Sequence, residues 1–177
     1  TALSYEQANS SFYRSLKGSW KFHWCRKPAN RPVDFYKADY YFHSWEEIEV
    51  PGDWQLQGYG VPFYVNIGYG FEVNPPHAPE NYNPVGSYIR EFTVPDEWEK
   101  KQVFLHFAGV NSAFYAWVNG KPLGYHQDSK TPAEFDITGL IVDGANKLAV
   151  EVYRWCDGSY LEDQDMWRFS GIERDVY

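Results

Sequence analysis

The stretch Ala113-Phe-Tyr-Ala-Trp-Val-Asn-Gly-Lys-Pro-Leu-Gly-Tyr125 carries the clearest fold signal in the chain. Aromatic and β-branched residues, which favour strands, surround the dipeptide Asn119-Gly120. Asn-Gly accepts the positive φ angles that a two-residue hairpin turn demands. The stretch therefore predicts a β-hairpin whose two antiparallel strands meet at Asn119-Gly120.

Strand-like segments continue on both sides of this hairpin. Apolar and polar residues alternate over residues 20–24, 47–51 and 146–154, and residues 86–95 and 102–108 are also predicted to be strands. In the last segment we expect Leu148, Val150 and Val152 to face the core, and Lys147, Glu151 and Tyr153 to face outward. Many short strands with almost no helix predict an all-β fold, an antiparallel β-sandwich.

Two other segments have distinct local signals. Residues 52–84 are rich in Gly, Pro, Asn and aromatic residues without a clear period, which predicts a long structured loop with a functional role. Residues 4–15 are expected to form a short helix or an arm, anchored by Tyr5, Phe12 and Leu16. A short strand over residues 133–138 should end in a turn that Asp136 holds.

The composition argues against several classes of partner. The net charge is −8, from 24 acidic and 16 basic residues, and no Lys or Arg run forms a basic stripe, so we expect no nucleic-acid partner. No apolar run approaches the ~20 residues of a membrane helix, so we expect no membrane partner. Aromatic residues make up 20% of the chain, which suits a β-rich core and also suits contact with sugar rings.

Two cysteines, Cys25 and Cys156, are too few for a disulfide framework. Each stands beside a tryptophan near the end of a predicted strand, which favours a small buried thiol. Without paired Cys or Cys/His spacing, we expect no zinc site.

An unusual acidic segment lies near the end of the sequence. Glu162, Asp163 and Asp165 place three carboxylates within four residues, and such close like charges repel unless other groups satisfy them. Arginines, backbone N–H groups, a hard cation or a hydroxyl-rich ligand are alternatives, and a solvated acidic turn is another. The neighbouring aromatic residues argue against simple solvation.

The acidic segment is also where a family resemblance is strongest. Ser159-Tyr-Leu-Glu-Asp-Gln-Asp-Met-Trp-Arg-Phe-Ser-Gly-Ile-Glu-Arg-Asp-Val176 resembles the end of the amino-terminal domain in large bacterial β-galactosidases of glycoside hydrolase family 2. Similar blocks follow in family order: Gly18-Ser-Trp-Lys-Phe, Val50-Pro-Gly-Asp-Trp-Gln-Leu-Gln-Gly-Tyr, Pro62-Phe-Tyr-Val-Asn, Val73-Asn-Pro-Pro, Gly109-Val-Asn-Ser-Ala-Phe and Gly124-Tyr-His-Gln-Asp-Ser. Glu173 departs from the family pattern, which usually has an aromatic or apolar residue there, and this puts local packing in doubt.

The resemblance implies a jelly-roll, galactose-binding-domain-like sandwich over residues 18–177, preceded by an N-terminal arm over residues 1–17. In the family, two catalytic glutamates and a magnesium ion belong to a barrel of ~250 residues, which this chain cannot contain. We therefore expect no catalytic residue in this chain and no cofactor in isolation.

The resemblance also implies a set of substrate contacts. Asp165 matches a residue that contacts a galactosyl hydroxyl and helps to hold sodium in the full enzyme, and Asn66 matches an asparagine that reaches the sugar. A carboxylate and an amide suit these roles chemically. Four further residues are expected to support the site by fixing the loop. Trp167 would form an aromatic wall, and Glu162, Asp163 and Arg168 would form ion pairs. Trp54 and Tyr64 are further expected to line the loop.

The sequence is compatible with three functions. The first is a non-catalytic N-terminal domain that adds loop residues to the galactose site of a missing barrel, within an enzyme that hydrolyses terminal β-D-galactosides. Its partners would be the galactoside, the barrel and other domains, with a homo-oligomer as an expected assembly. The alternatives are a self-sufficient carbohydrate-binding module and a purely structural sandwich. Cytoplasmic and periplasmic bacterial locations both remain open.

Overall fold

The computed structural model describes residues 4–177, which contain twelve strands, five 3₁₀ turns and no α-helix. The strands are β1 (Gly18–Cys25), β2 (Glu46–Val50), β3 (Gly52–Asp53), β4 (Phe63–Val65), β5 (Val85–Thr93), β6 (Phe104–Phe107), β7 (Ala113–Val118), β8 (Lys121–Gln127), β9 (Ala133–Asp136), β10 (Ala145–Tyr153), β11 (Met166–Arg168) and β12 (Gly171–Ile172). The 3₁₀ turns are Ser4–Asn9, Pro28–Asn30, Gln55–Gln57, Asp96–Trp98 and Asp157–Leu161. Among these residues, no helix has the length and apolarity needed to cross a membrane.

The strands form two layers around one main core. Six strands make the larger sheet in the order β2-β1-β5-β10-β7-β8, with antiparallel pairing throughout. Three small antiparallel pairs, β11-β4, β12-β3 and β6-β9, complete the architecture. The predicted all-β antiparallel sandwich is confirmed.

The predicted hairpin is present as β7 and β8. Val118 pairs with Lys121 across the turn, and Asn119 and Gly120 adopt φ angles of 50° and 78°. Both angles are positive, as a turn of this kind requires. Asp136 also holds its predicted turn, because its carboxylate accepts a hydrogen bond from the Thr138 N–H at 2.9 Å.

The central strand β10 differs from the prediction on one face. Leu148, Val150 and Val152 are in the core as expected, but Lys147 and Glu151, predicted to face outward, are buried. Residues 26–45, which contain no strand, cover the outer face of the sheet with a second apolar cluster around Phe35, Phe42, Ile89 and Ala149. Lys147 Nζ donates to the carbonyl of Phe35 at 3.0 Å, and Arg31 forms a salt bridge with Glu151 at 3.3 Å.

The main core is built around large aromatic residues of the inner sheet face. Trp54, expected to line the loop, is instead fully buried, and its indole N–H donates to the hydroxyl of Tyr88. Phe22 packs on Tyr88 with ring centroids 4.7 Å apart. The prediction for Trp54 was wrong, because its apolar ring fills the space between the two layers. Cys25 and Cys156 are buried thiols, as predicted.

The first residues lie partly outside the described part of the chain. The predicted arm includes Thr1–Leu3, and Tyr5 was predicted as one of its anchors. Thr1–Leu3 and the side chain of Tyr5 lie outside the described residues. Leu16 is buried as a predicted anchor, and its carbonyl accepts the indole N–H of Trp20 at 2.8 Å. Phe12, the other predicted anchor, is largely exposed. The division into an arm over residues 1–17 and a domain over residues 18–177 stays a prediction.

Close packing around Gly86 gives a test of the core. A Cβ atom at Gly86 would lie 2.5 Å from the Trp54 ring and 2.8 Å from the Phe22 ring. We expect Gly86→Ala to lower the free energy of unfolding by about 1–3 kcal/mol, because the overpacked rings must shift. Urea denaturation measures the change. The control is Gly139→Ala, whose Cβ meets nothing within 4 Å, and an equal loss in both variants would contradict this packing.

Candidate functional site

A short ladder of two strands brings the two predicted substrate residues together. Strand β4 pairs with β11 in antiparallel register, with Val65 opposite Met166. Asn66 is the next residue after Val65, and Asp165 is the residue before Met166. The register therefore places Asn66 and Asp165 across from each other, one position beyond the end of the ladder. Both residues are exposed there.

Tyr64 fixes the carboxylate of Asp165. Its hydroxyl donates a hydrogen bond to Asp165 Oδ1, from a position 101 residues earlier in the chain. This hydrogen bond raises the pKa of Tyr64, because the nearby carboxylate disfavours the phenolate. One oxygen of Asp165 is therefore held by the loop, and the other is left for a further donor.

An exposed aromatic ring stands beside this carboxylate. Trp167 is 54% exposed, although it lies within β11. Its ring contacts Tyr64 edge-on at 5.7 Å between centroids and stacks with Phe169 at 6.1 Å. The predicted aromatic wall is thus part of the β4-β11 ladder, next to Asp165. Such a ring is suited to the apolar face of a sugar.

Glu162 has a different partner from Asp165. Its carboxylate accepts the N–H of Ser129 at 2.9 Å and the hydroxyl of Ser129 at 2.7 Å. Ser129 is buried, so this bidentate contact clamps the acidic segment to residues 128–131. Sequence reasoning gave Ser129 no role of its own and did not foresee its contact with Glu162, because the two positions are 33 residues apart in the chain.

The ion pairs expected from Arg168 do not form. Arg168 Nη2 donates to the carbonyl of Gln164 at 2.5 Å, and among residues 4–177 it makes no salt bridge with Glu162, Asp163 or Asp165. Asp163 is exposed, and within the same range its carboxylate makes no hydrogen bond. The three carboxylates are thus satisfied separately, by Ser129, by Tyr64 and by solvent.

The acidic segment is tied to the long loop by tyrosines. Tyr160 donates its hydroxyl to the carbonyl of His77 at 2.9 Å and accepts the N–H of Asn74 at 3.0 Å. Tyr69 donates to the carbonyl of Tyr160 at 2.7 Å. These bonds explain why residues 52–84 are ordered with little regular secondary structure, as predicted.

A buried arginine supports the ladder from behind. Arg154 is 1% exposed, and its Nη2 donates to the carbonyls of Val61 and Arg168 at 2.9 Å and 3.3 Å. Val61 precedes β4 and Arg168 ends β11, so one guanidinium group joins both strands. The ring of Phe63 lies 4.8 Å from its central carbon. Burial lowers the pKa of Arg154.

Glu173, where the resemblance put local packing in doubt, has polar partners. It accepts the Asn111 side-chain N–H at 3.0 Å and forms a salt bridge with Lys130 at 2.5 Å. Asp53 lies beside it, and burial together with the charge of Glu173 raises the pKa of Asp53 to about 6, with Lys130 opposing the rise.

The described residues offer little to a metal ion on their own. Within residues 4–177, no group of three or more His, Cys, Asp or Glu side chains is placed to hold one. Asp165 can supply a carboxylate oxygen, which is a hard ligand of the kind that sodium accepts.

Comparison with known proteins identifies the relatives of this chain. The family model described as "Glycosyl hydrolases family 2, sugar binding domain" matches residues 13–177. A β-galactosidase of Priestia megaterium is 51% identical over 180 residues, covering 99% of this chain and 17% of that protein. A β-galactosidase of Vibrio vulnificus is 52% identical over 163 residues, covering 92% of this chain and 16% of that protein.

Solved structures agree on the fold. β-Glucuronidase 2 of Bacteroides uniformis superposes with a TM-score of 0.68 at 23% identity, over 92% of this chain and 17% of that chain. A β-glucuronidase from an uncultured Clostridium superposes with a TM-score of 0.62 at 20% identity, over 92% of this chain and 28% of that chain. At this level of identity the likeness concerns the fold alone.

The role of Arg154 can be tested by a conservative change. We expect Arg154→Lys to lose at least one of the two hydrogen bonds and to lower the free energy of unfolding by about 1.5–3 kcal/mol. Amide hydrogen exchange should rise first in β4 and β11, since these strands share the guanidinium. Arg26→Lys, at an exposed position, is the control. Unchanged exchange in both strands would rule out this role.

The raised pKa of Asp53 predicts a pH-dependent stability. Asp53 is protonated more readily in the folded state, so the stability it contributes is complete below pH ~4 and is lost as pH rises through about 6. We therefore compare the free energy of unfolding of Asp53→Asn with that of the parent at two pH values. The difference between variant and parent should shift in favour of the variant by about 1–3 kcal/mol from pH 4 to pH 8. Urea denaturation at both pH values, with Asp163→Asn as control, measures this. A difference that does not change with pH would refute the assignment.

Proposed function

The chain belongs to family 2 of the glycosyl hydrolases as its sugar-binding domain, and we propose that it is the non-catalytic N-terminal domain of a β-galactosidase. The longer enzyme would hydrolyse terminal β-D-galactosides. Support comes from the relatives: proteins named β-galactosidase match at 51–52% identity over almost the whole chain. The chain spans 17% of the length of those relatives, which leaves room for a catalytic barrel.

The arrangement of the acids supports a non-catalytic role. Glycoside hydrolysis with retention uses two carboxyl groups ~5–5.5 Å apart on opposed sides of the bond that breaks. Glu162 is committed to Ser129 and Asp165 to Tyr64, and both belong to one short segment. Carboxylates of one segment approach a sugar from the same side, so neither is proposed as acid or nucleophile.

The observation that carries the proposal is the register of β4 and β11. It sets Asn66 opposite Asp165 beside the exposed ring of Trp167. An amide can donate to and accept from a hydroxyl, and a carboxylate accepts strongly, so the pair can hold a galactosyl hydroxyl that the barrel presents. Glu162, Asp163 and Arg168 support or flank this segment without touching the sugar.

Exposed apolar residues support a contact with the barrel at the same place. Ile67, directly after Asn66, is 89% exposed, and Leu161, directly before Glu162, is 86% exposed. Large apolar side chains at this exposure are typical of surfaces that another element covers. The barrel and the sugar would therefore meet this chain along one surface. A structural contribution to the barrel and to subunit contacts in a homo-oligomer is compatible with it.

The metal ions of the proposal belong to the full enzyme. Asp165 would be the ligand that this chain offers to sodium, with further ligands from the barrel, and magnesium would lie in the barrel alone. A sodium ion at this place would supply positive charge that holds sugar oxygens. The isolated chain is proposed to need no cofactor.

Kinetics of the longer enzyme test the substrate contacts. We expect Asp165→Asn to lower kcat/KM for galactosides by about 10- to 100-fold, because a hydrogen bond to a charged group is lost. Asn66→Ala should also lower it. Asp163→Asn is the matched control, since Asp163 is exposed nearby, and its kcat/KM should stay within about two-fold of the parent.

Two outcomes would contradict the proposed function. If Asp165→Asn and Asp163→Asn changed kcat/KM equally, Asp165 would not contact the sugar. Turnover of a β-galactoside by the purified 177-residue chain would show that it carries its own catalytic groups.

A further inference from the structure

Three tyrosines form a floor on the outer face of the six-stranded sheet, beyond the part that residues 26–45 cover. Tyr115 of β7 and Tyr125 of β8 are direct cross-strand partners, with ring centroids 4.8 Å apart. The ring of Tyr153 in β10 lies 6.1 Å from that of Tyr115. Tyr115 and Tyr125 are 41% and 44% exposed. Three strands thus present a continuous, accessible aromatic surface.

A cavity of about 490 Å³ lies over this floor. Its walls include residues 76–80 of the long loop, Pro28, and Asp157 at the start of a 3₁₀ turn. Ligand pockets typically have volumes of about 300–1,000 Å³, so one or two sugar rings fit. The loop wall is preformed, because the Asn83 side chain donates to the Trp155 carbonyl at 3.0 Å and accepts the Trp155 N–H at 2.9 Å.

The polar groups of the cavity are mainly acceptors. Glu80 and Asp157 are the acidic residues of its lining, with Asp157 Oδ1 also accepting the Gly158 N–H at 2.9 Å. His77 is the basic residue of the lining, and among the described residues no Lys or Arg lines the cavity. The hydroxyls of Tyr125 and Tyr153 donate to Gln127 at 2.6 Å and to Glu151 at 2.7 Å, so their oxygens remain able to accept. This charge balance disfavours anionic ligands and favours ligands with several hydroxyl donors.

The arrangement of the rings favours a sugar over an organic cation as the ligand. Sites for quaternary ammonium groups enclose the charge in an aromatic cage. Here the three tyrosines come from one face of one sheet, with ring planes inclined by 44° between Tyr115 and Tyr125 and by 75° between Tyr115 and Tyr153. They therefore line one side of the cavity, with acceptors at its edge, and do not enclose a charge. A pyranose matches this pattern, because its C–H face packs on a ring while its hydroxyls reach sideways to carboxylates.

We propose that this cavity is a saccharide-binding site for a neutral mono- or disaccharide, which packs on Tyr115 and Tyr125 and donates hydroxyls to Asp157 and Glu80. Asp165 and Asn66 do not line it. The site therefore does not depend on the role proposed for those two residues, and either assignment can fail without the other.

The experiment is a titration of the 177-residue chain with galactose, lactose and tetramethylammonium chloride, followed by NMR chemical shifts and calorimetry. We expect saturable binding of at least one sugar, with shifts in β7, β8 and residues 76–80. Tyr115→Ala and Tyr125→Ala should each weaken it about ten-fold, since aromatic anchors carry much of the binding energy. Tyr115→Phe keeps the ring and should keep the affinity. Tyr41→Ala, at another exposed tyrosine outside the cavity, should bind like the parent.

Several results would overturn the proposal. Absence of saturable sugar binding would do so, as would saturation by tetramethylammonium alone. Binding that Asp165→Ala abolishes but Tyr115→Ala and Tyr125→Ala leave intact would assign the sugar to the β4-β11 ladder. Thermal melts of each variant establish that a lost affinity does not reflect a lost fold.

Discussion

The buried guanidinium of Arg154 is the constraint on which the candidate site depends. A charged group with 1% exposure must find partners inside the protein. Two of its bonds go to the carbonyls of Val61 and Arg168, which flank the β4-β11 ladder. Aromatic rings surround the group, with Phe63 and Trp155 at 4.8 Å and 5.1 Å from its central carbon. This arrangement leaves little freedom in how β4 and β11 meet.

The acidic segment leads into strand β11 of that ladder, and its three carboxylates have different surroundings. Its three carboxylates lie within four residues of sequence, yet each has a separate environment. Glu162 holds Ser129, Tyr64 holds Asp165, and Asp163 remains in solvent. Separating the charges in this way avoids the repulsion that a shared site would impose. It also leaves Asp165 exposed beside Trp167, where a hydroxyl can reach it.

Much of the fold was readable from the sequence because its signals are local. The Asn119-Gly120 turn and the alternating segments require knowledge of a few neighbouring residues. The cover on the outer sheet face was missed, because residues 26–45 have no strand pattern and burial of Lys147 depends on carbonyls about 110 positions away. Long separation in the sequence also explains why the contacts within the candidate site were not predicted. Asp165 and Asn66 came from family resemblance, whereas the contacts made by Tyr64 and Ser129 span 101 and 33 positions and leave no pattern in the sequence.

We propose that the ladder presents Asn66 and Asp165 as a pair to a galactosyl group. The most direct measurement is a crystal structure of the longer enzyme with a galactoside bound in its barrel. We expect the Asp165 carboxylate and the Asn66 amide to lie within hydrogen-bond distance of sugar hydroxyls, with the Tyr64 hydroxyl still donating to Asp165. A galactoside that is fully bound by the barrel, with both side chains beyond hydrogen-bond reach, would contradict it.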